Sequence, residues 1–415
     1  MKVLYVPLEF TKWQSALHWA YPAGLGFEEG FVGCGVDCFV LPALVRQPFF
    51  APESFLDHAR RICADMRFDL AILTLPHIDY DASFLDWLTD VAPVRVGYFV
   101  ESMEPYWGVN GNSASPRKRK KTAAALPYLT HALVWDEGDT DHLIQRGIPT
   151  LWCPTVVPER FVWTRLTPAT VSAALFFGAV YGERAIYLNH PALSGLLVRP
   201  ERSLEQETEC PQTFDALNAE VMRRLAAEDV WSPTLMARRF RRRLWWFVRR
   251  PFRGRSDPRP RDIAPQIDSS FGGGISRLLA GYLERLRSHR LRNFELWLET
   301  LARGLAVVNL PQAGSGYAGR VVETMAVGRP VLAHRVANRP QTNELFTAGR
   351  EILLYRSPEE LAEQIRLLQQ DAGLRERLVK AAQHKVLQLH TTEKRGAQFL
   401  RWLETGESPG YITRH

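Results

Sequence analysis

A glycine-rich turn followed by a charged helix is the stretch of this sequence with the clearest chemical potential. It runs from Gly314 to Leu332 and reads GSGYAGRVVETMAVGRPVL. Glycines allow tight turns and close approach of a ligand to the backbone, and the free amides at a helix start attract an anion. Arg320 and Glu323 are three residues apart and therefore share a helix face. The stretch predicts an anion site beside a carboxylate that accepts hydrogen bonds from hydroxyl groups. An ordinary loop–helix–strand unit with an exposed Arg–Glu pair has the same spacing and is the alternative.

Individual polar side chains also follow predicted strands in the N-terminal half of the chain. Glu101 follows one such strand, where a carboxylate can act as a general base or bind an acceptor hydroxyl. His77 follows the preceding strand and is expected in the same layer, and Asp136 with Glu137 follows the next one. For each of them the alternative interpretation is a solvated loop acid or a structural histidine. The sequence therefore offers candidates on this side without choosing among them.

These side chains need parallel sheets to bring them together, and the sequence predicts two. Apolar runs of strand length alternate with helical patterns through the first 150 residues and again from residue 171, which is typical of βα units. The predicted helices include residues 82–91, 318–327, 343–346 and 358–370. The stretch PTVVPERF, residues 154–161, interrupts the alternation with two prolines and is interpreted as a linker. We therefore expect an α/β protein with two Rossmann-like doubly wound domains facing each other across a cleft at the carboxyl ends of their strands.

The alternation also predicts where the domains begin and end. The predicted boundaries are an N-terminal domain over residues 1–153, a linker over 154–170, a C-terminal domain over 171–390, and a helix with a tail over 391–415. The C-terminal domain carries a basic insertion at about residues 200–270, which is rich in Arg and Pro and lacks regular alternation.

The net charge of +7 is concentrated in two short segments. Residues 238–261 hold eleven arginines and one acid, a local balance of +10, so the rest of the chain sums to −3. A second run of basic residues spans Arg117 to Lys121. Residues 236–261 include MARRFRRRLWWFVRR, a basic and aromatic helix pattern that favours contact with an anionic membrane surface. An Arg-rich loop and a helix packed on the protein body are the alternatives.

Composition and motifs argue against several other classes of protein. A nucleic-acid-binding protein is less favoured, because no helix-turn-helix, ribonucleoprotein or zinc motif accompanies the basic segments. No stretch approaches the ~20 apolar residues of a spanning helix, and the N-terminus MKVLYVPLEF leads into a strand rather than a signal peptide. The five scattered cysteines lack metal-ligand spacing and suit reduced thiols. We expect a cytoplasmic protein that binds peripherally to the inner face of the membrane.

Two segments of the C-terminal half resemble a known family. VVETMAVGRPVLAHRV, which begins at Val321, and NELFTAGREILLYRSPEELAEQI, which begins at Asn343, resemble the donor half of retaining glycosyltransferases with the two-Rossmann GT-B fold. The group-1 and spore-maturation-type glycosyltransferase-like members are the most similar. The resemblance implies that the N-terminal domain faces the acceptor, that the C-terminal domain holds a nucleoside diphosphate sugar, and that neither a cofactor nor a metal is required.

The resemblance also implies roles for matching residues. Glu323 matches the glutamate that binds the nucleotide ribose, and the preceding loop matches the one that meets the diphosphate and sugar. Arg184 matches a basic position that contacts the β-phosphate, where a guanidinium can bond two oxygens; a first-turn surface residue is the alternative. The predicted donor-binding residues are Glu323, Arg320, Gly314, Ser315, Gly316, Tyr317, Ala318 and Gly178. The predicted catalytic residues are Arg184 from this half and Glu101 and His77 from the N-terminal half.

The sequence departs from the family pattern at two positions. Ser315 stands where the first glutamate of the Glu-x7-Glu pair contacts the donor sugar, and Ala179 stands where the family often has an arginine. We expect a hexosyltransferase-like enzyme that moves a sugar to an unidentified acceptor with retention of configuration. The Ser315 departure keeps a non-catalytic lipid-surface or partner-binding scaffold as an alternative, and another two-Rossmann sugar-nucleotide enzyme is a second one.

Overall fold

A computed structural model describes residues 1–6, 8–9, 30–40, 43–44, 66–76, 78, 80–103, 116–178, 180, 182–200, 291, 294–311 and 316–411. The predictions for His77, Gly314, Ser315, Ala179 and the basic segment 236–261 lie outside these ranges.

The N-terminal half builds a parallel sheet from short apolar runs. Its strands are β1 (Lys2–Val6), β2 (Leu8–Glu9), β3 (Asp37–Val40), β4 (Ala43–Leu44), β5 (Leu70–Leu75), β6 (Val94–Phe99), β7 (His131–Val134) and β8 (Thr150–Trp152). Six of them form one sheet in the order β3-β1-β5-β6-β7-β8, and β2 pairs with β4. Strand β5, with the sequence LAILTL, is buried along its whole length, as expected where both faces of a parallel sheet are covered.

The α-helices of this half whose bounds are described are α1 (Ala82–Val91), α2 (Pro116–Ala125) and α3 (Gly138–Ile144), and residues 30–33 are also helical. Helix α1 begins where the side chain of Asp81 accepts a hydrogen bond from the amide of Phe84 at 2.8 Å, which satisfies one of the free amides of the first turn. Its apolar residues at helical spacing are buried, among them Leu85 and Leu88. A local cap and an apolar face together explain why the sequence predicted this helix with its observed bounds.

The C-terminal half builds a second parallel sheet. Its strands are β9 (Val171–Leu175), β10 (Leu197–Val198), β11 (Gly304–Asn309), β12 (Val331–His334) and β13 (Leu353–Tyr355), in the order β10-β9-β11-β12-β13. Its helices are α4 (Arg184–Leu188), α5 (Arg320–Ala326), α6 (Pro340–Glu344), α7 (Pro358–Gln370), α8 (Ala372–Leu389) and α9 (Thr392–Thr405), and residues 294–302 are also helical. Two parallel sheets, each covered by helices, confirm the predicted fold class.

The last helix does not stay with the C-terminal sheet. Linker residue Val157 bridges to Thr391, and α9 then packs on the N-terminal half, where the rings of Phe399 and Phe31 are 6.0 Å apart. The close approach is possible because both contacting residues are glycines. A Cβ on Gly396 would crowd the backbone of Gly30, and a Cβ on Gly30 would crowd the backbone of Thr392. The chain end therefore ties the two halves together on the side of the linker.

Candidate functional site

Gly178 lies just beyond the carboxyl end of β9, between two arginine side chains. A Cβ at this position would lie 3.3 Å from Nη1 of Arg184 and 3.5 Å from Nη2 of Arg320. It would also lie 3.1 Å from the ring of Phe176. The absence of a side chain at Gly178 thus lets both guanidinium groups approach the backbone at the edge of the sheet where ligands bind in open α/β folds. Three residues predicted as site members from the sequence meet here.

The side chain of Arg184 is held beside Gly178 by its contacts with Pro311 and Phe176. Arg184 begins helix α4 and is 2% exposed. Its Nε donates a hydrogen bond to the carbonyl oxygen of Pro311 at 2.7 Å, and its guanidinium carbon lies 5.4 Å from the ring centroid of Phe176. The alternative interpretation of Arg184 as a first-turn surface residue is therefore wrong, because the side chain is buried against Pro311 and Phe176.

Arg320 approaches the same ring from helix α5. Its Nη1 donates to Oδ1 of Asn309, the last residue of β11, at 3.4 Å. Its guanidinium carbon lies 5.7 Å from the ring centroid of Phe176. Two positive groups around one aromatic ring gain cation–π energy but repel each other. Such a pair is suited to an anion that carries at least two negative charges.

Glu323 lies one turn further along α5 and is 3% exposed. Its Oε2 accepts a hydrogen bond from Nε1 of Trp297 at 2.7 Å. Burial raises the pKa of Glu323 to about 7, although the Trp297 hydrogen bond and the positive charge of Arg320 act in the opposite direction. The alternative interpretation, an ordinary loop–helix–strand unit in which Arg320 and Glu323 form an exposed pair, is therefore wrong. Trp297 was missed by sequence reasoning, because its helix precedes β11 and only packing brings it to Glu323.

The loop before α5 differs from the predicted geometry in one respect. The sequence predicted a helix from Ala318, but α5 begins at Arg320, and the amide of Val321 is already used by the carbonyl of Ala318 at 3.0 Å. Gly316 faces the N-terminal half, since a Cβ there would lie 3.5 Å from the carbonyl oxygen of Trp135. Tyr317 is 4% exposed, and burial raises its pKa well above the ordinary tyrosine value.

The two predicted acids that follow β7 have a role other than the one expected. Asp136 forms a buried ion pair with Arg339, with 2.5 Å between Oδ1 and Nε. Glu137 accepts hydrogen bonds from Oγ1 of Thr342 at 2.7 Å and from the amide of Gln341 at 3.2 Å, and it also accepts the amide of Thr342. These contacts join the N-terminal half to the first turn of α6. Asp136 and Glu137 therefore fasten the two halves together, and neither is a solvated loop acid.

The electrostatics of this contact follow from its burial. Loss of water raises the pKa of Glu137, and the hydrogen bonds from Thr342 and Gln341 together with the charge of Arg339 act in the opposite direction. The carboxylate also occupies the amino end of α6, where negative charge is favoured. The sequence predicted this helix at residues 343–346 rather than Pro340–Glu344, because its acidic cap comes from the other half of the chain.

Glu101 lies two residues beyond the end of β6 and is half-buried. Nearby, the amide of Met103 donates to Oδ2 of the buried Asp139 at 2.7 Å, which fixes the loop that carries Glu101. Across the described ranges, no group of three or more His, Cys, Asp or Glu side chains is placed to hold a metal ion. No helix within those ranges is both long enough and apolar enough to cross a bilayer.

Comparison with known proteins agrees with this architecture. Residues 268–401 match the family model described as glycosyl transferase-like. The structure of Anabaena HepE in complex with UDP and glucose matches with a TM-score of 0.51 at 11% identity, covering 98% of this chain and 100% of that one. Sucrose-phosphate synthase from Thermosynechococcus elongatus matches with a TM-score of 0.50 at 11% identity, again covering 98% and 100%. No curated protein sequence matches the chain.

The fold is therefore that of the GT-B glycosyltransferases, with two Rossmann-like halves. The match of residues 268–401 to the glycosyl transferase-like family model confirms the family resemblance predicted from the sequence. The matched stretch includes β11, α5 and the helix that carries Trp297, and so contains both Arg320 and Glu323.

Proposed function

We propose that this protein transfers a sugar from a nucleoside diphosphate sugar to an acceptor hydroxyl or amine, with retention of configuration. The observation that carries the proposal is the meeting of Arg184 and Arg320 at Gly178, with Glu323 one turn away. A nucleoside diphosphate presents this combination of groups, namely two phosphates next to a ribose diol. The glycosyl transferase-like domain around Arg320 and Glu323 supports the same substrate class.

In this proposal the two guanidinium groups hold the diphosphate and Glu323 holds the ribose. The Oε2 atom of Glu323 already accepts from Trp297, so the ribose hydroxyls would donate to Oε1. Gly178, together with the loop that contains Gly314 to Ala318, would approach the phosphates and the sugar. The nucleotide would then lie along the carboxyl edge of the C-terminal sheet.

The chemistry we propose is mainly electrostatic. As the bond from the anomeric carbon to the diphosphate breaks, the sugar gains oxocarbenium character and negative charge grows on the leaving oxygen. Arg184 and Arg320 would stabilise that charge more strongly in the transition state than in the ground state. Their positive charge would take the place of a divalent cation, and no further cofactor is needed in this proposal. On the acceptor side, Glu101 and His77 remain our candidates to take the acceptor proton.

A labelled-donor assay tests the proposal. The full-length protein is incubated with UDP-, GDP- and dTDP-sugars that carry a labelled sugar, with and without a panel of acceptors. We expect release of the nucleoside diphosphate from one donor class. Release is expected even without an acceptor, because water slowly hydrolyses a donor that is bound in the active site. A matched variant, Arg184→Gln, should lose that release. If the wild-type protein neither hydrolyses nor transfers any donor sugar, the proposal is wrong.

A non-catalytic scaffold is the second candidate, and one observation favours it. Ser315 replaces the glutamate that the family pattern places against the donor sugar, which removes a contact expected of an active enzyme. A scaffold would bind a nucleoside diphosphate at Arg184 and Arg320 without cleaving the donor. Binding without any hydrolysis or transfer would favour this candidate over the transferase, and interconversion of the donor into another nucleotide-sugar would favour a different two-Rossmann enzyme.

We also propose that the protein associates peripherally with an anionic membrane on the cytoplasmic side. Residues 236–261 supply most of the charge for this contact, and α2 adds a second basic segment in which Arg119 and Lys120 are exposed. Each basic residue near an anionic surface contributes about 1 kcal/mol. Flotation with anionic and neutral vesicles, with and without residues 236–261, tests this. Equal recovery on both vesicle types would contradict it.

A further inference from the structure

A fully buried arginine lies where the linker meets the last helix, far along the chain from the donor residues. Arg395 is in the first turn of α9 and is 0% exposed. Its Nη2 faces Nδ1 of His390 at 3.2 Å, and its guanidinium carbon lies 3.9 Å from the ring centroid of Tyr411. Among the residues that the structure describes, its Nε and Nη1 have no hydrogen-bond partner. A guanidinium stays charged in proteins, so two buried N–H groups of a cation lack an acceptor within the described part of the chain.

The neighbouring His390 is neutral and accepts one hydrogen bond from Arg395. Because Nδ1 of His390 accepts from Arg395, the proton of the imidazole lies on Nε2, at the opposite edge of the ring, where the described residues supply no partner. Burial, with the charges of Arg395 and Lys385, lowers the pKa of His390 well below its ordinary value and keeps the ring neutral. The hydroxyl of Tyr411 is also buried, next to the guanidinium of Arg395. Neither neighbour therefore supplies a negative charge that would compensate the guanidinium of Arg395.

Another buried arginine shows how such a group is normally satisfied. In Arg329, which is 6% exposed, Nε donates to the carbonyl of Ala302 at 2.8 Å and Nη1 to that of Gly328 at 3.0 Å. Its Nη2 donates to the carbonyl of Thr167 at 2.5 Å. Arg395 has no comparable set of acceptors among the residues that the structure describes. Burying an uncompensated charge costs far more than burying a satisfied one.

We infer that the cluster of Arg395, His390 and Tyr411 binds a small inorganic anion, either a halide or an oxyanion. Such an anion would accept from Nε or Nη1 of Arg395 and from the hydroxyl of Tyr411, and it would offset the guanidinium charge. The site would fasten the crossover between the two halves, because the amide of Val157 donates to the carbonyl of His390 at 3.2 Å and the amide of Thr392 donates to that of Val157 at 3.1 Å. It is separate from the proposed donor site and does not depend on it.

Thermal unfolding at fixed ionic strength tests the inference. The full-length protein is placed in a gluconate buffer, and gluconate is exchanged for chloride, bromide or phosphate. We expect Tm to rise by about 2 °C for each tenfold increase of the bound anion above its Kd. Chloride and phosphate arms distinguish a halide site from an oxyanion site. A Tm that is the same in gluconate as in chloride, bromide and phosphate would overturn the inference.

Three variants locate the effect. Arg395→Met should abolish the anion dependence, whereas the control Arg329→Met should keep it, because that arginine is already satisfied by carbonyls. Tyr411→Phe keeps the ring against Arg395 and removes a single donor, so it should fold and weaken the anion affinity severalfold. If Tyr411→Phe responds to the anion as the wild type does, the cluster is not the site.

A crystal of the wild-type protein grown with bromide gives an answer that does not depend on any variant. We expect an anomalous peak within hydrogen-bond reach of Nε or Nη1 of Arg395. Ordered water in that position, both in this crystal and in one grown with phosphate, would show that the donors are satisfied by solvent and would refute the anion site.

Discussion

At the scale of single residues, the donor site depends on side chains whose anchors lie in other elements. Arg184 is held by the carbonyl of Pro311 and Arg320 by the side chain of Asn309, both at the end of β11. Glu323 is held by Trp297. The sequence predicted that Arg320 and Glu323 act together because a helix places residues three apart on one face. It did not predict Trp297 or Asn309, because their contacts depend on how helices pack on the sheet.

The charge of Glu323 is the first residue-scale test. Glu323→Gln keeps the size of the side chain and an oxygen for Trp297, but it loses the charge-assisted contact with the ribose, which is worth about 1.5–3 kcal/mol. We expect kcat/KM for the donor to fall about ten- to a hundredfold. The matched control is Glu363→Gln on the exposed face of α7, which should leave kcat/KM unchanged. Wild-type kcat/KM in Glu323→Gln would rule out the ribose assignment.

The raised pKa of Glu323 predicts a pH dependence. The carboxylate accepts two hydroxyl hydrogen bonds only when it is ionised, and its pKa is about 7. Donor affinity should therefore be high above pH 7 and fall as pH decreases through that value, by up to tenfold per pH unit. Titration calorimetry with the nucleoside diphosphate between pH 6 and pH 8 measures this. A pH profile that is unchanged in Glu323→Gln would assign the titration to another group.

At the scale of elements, the turn after β9 matters because it brings a backbone between two arginines. In Gly178→Ala the new methyl group would contact Phe176, Arg184 and Arg320 at 3.1–3.5 Å. The guanidinium groups would have to shift, so we expect the KM for the donor to rise about tenfold, a change of roughly 1.4 kcal/mol in binding. Steady-state kinetics with the donor measures the effect.

Gly195→Ala is the matched control for that variant. Gly178 and Gly195 both have a positive φ, 154° and 71° respectively. A Cβ on Gly195, however, would meet no atom of the described residues within 4 Å. The control variant should therefore show backbone strain of about 1 kcal/mol as a lower Tm, without a change in KM. Equal effects of the two variants on KM would mean that crowding of the arginines is not the cause.

Element boundaries were predictable where the signals are local. Helices α1 and α7 have their own caps, Asp81 and Ser357, and the sequence predicted both with their observed bounds. Helix α6 begins three residues before its predicted start at Asn343, because Glu137 from the other half of the chain occupies its first turn. A cap that is distant in sequence leaves no local pattern.

At the scale of the whole molecule, the two halves are joined by a buried ion pair and a capped helix. Removing one partner of a buried pair leaves the other charge uncompensated and costs about 3–5 kcal/mol. We expect Asp136→Asn and Arg339→Met to lower the free energy of unfolding by that amount. The double variant should recover part of the loss, because no unpaired charge remains. Urea unfolding of the four proteins gives the coupling energy.

An exposed ion pair serves as the control for this cycle. Arg401 and Glu407 are 2.9 Å apart with side chains 73% and 66% exposed. The same cycle applied to that pair should give no more than about 1 kcal/mol, since water screens it. A coupling energy for Asp136 and Arg339 as small as this one would show that the contact does not fasten the halves.

The overall architecture was predictable to the level of two parallel sheets, because βα alternation is visible in the apolar runs. The return of α9 to the N-terminal half was not predictable, since it depends on the packing of Phe399 against Phe31 and of Gly396 against Gly30. Contacts of this kind combine residues from opposite ends of the chain, and no window of sequence contains both partners.

The central claim is that Arg184 and Arg320 hold a diphosphate beside Glu323. Calorimetric titration of the full-length protein with UDP, GDP and dTDP, each compared with its monophosphate, tests it most directly. We expect one diphosphate to bind at least tenfold more tightly than its monophosphate, a difference of about 1.4 kcal/mol, and this preference to disappear in Arg184→Gln and Arg320→Gln. Failure of every diphosphate to bind, or a preference that survives both substitutions, would contradict the claim.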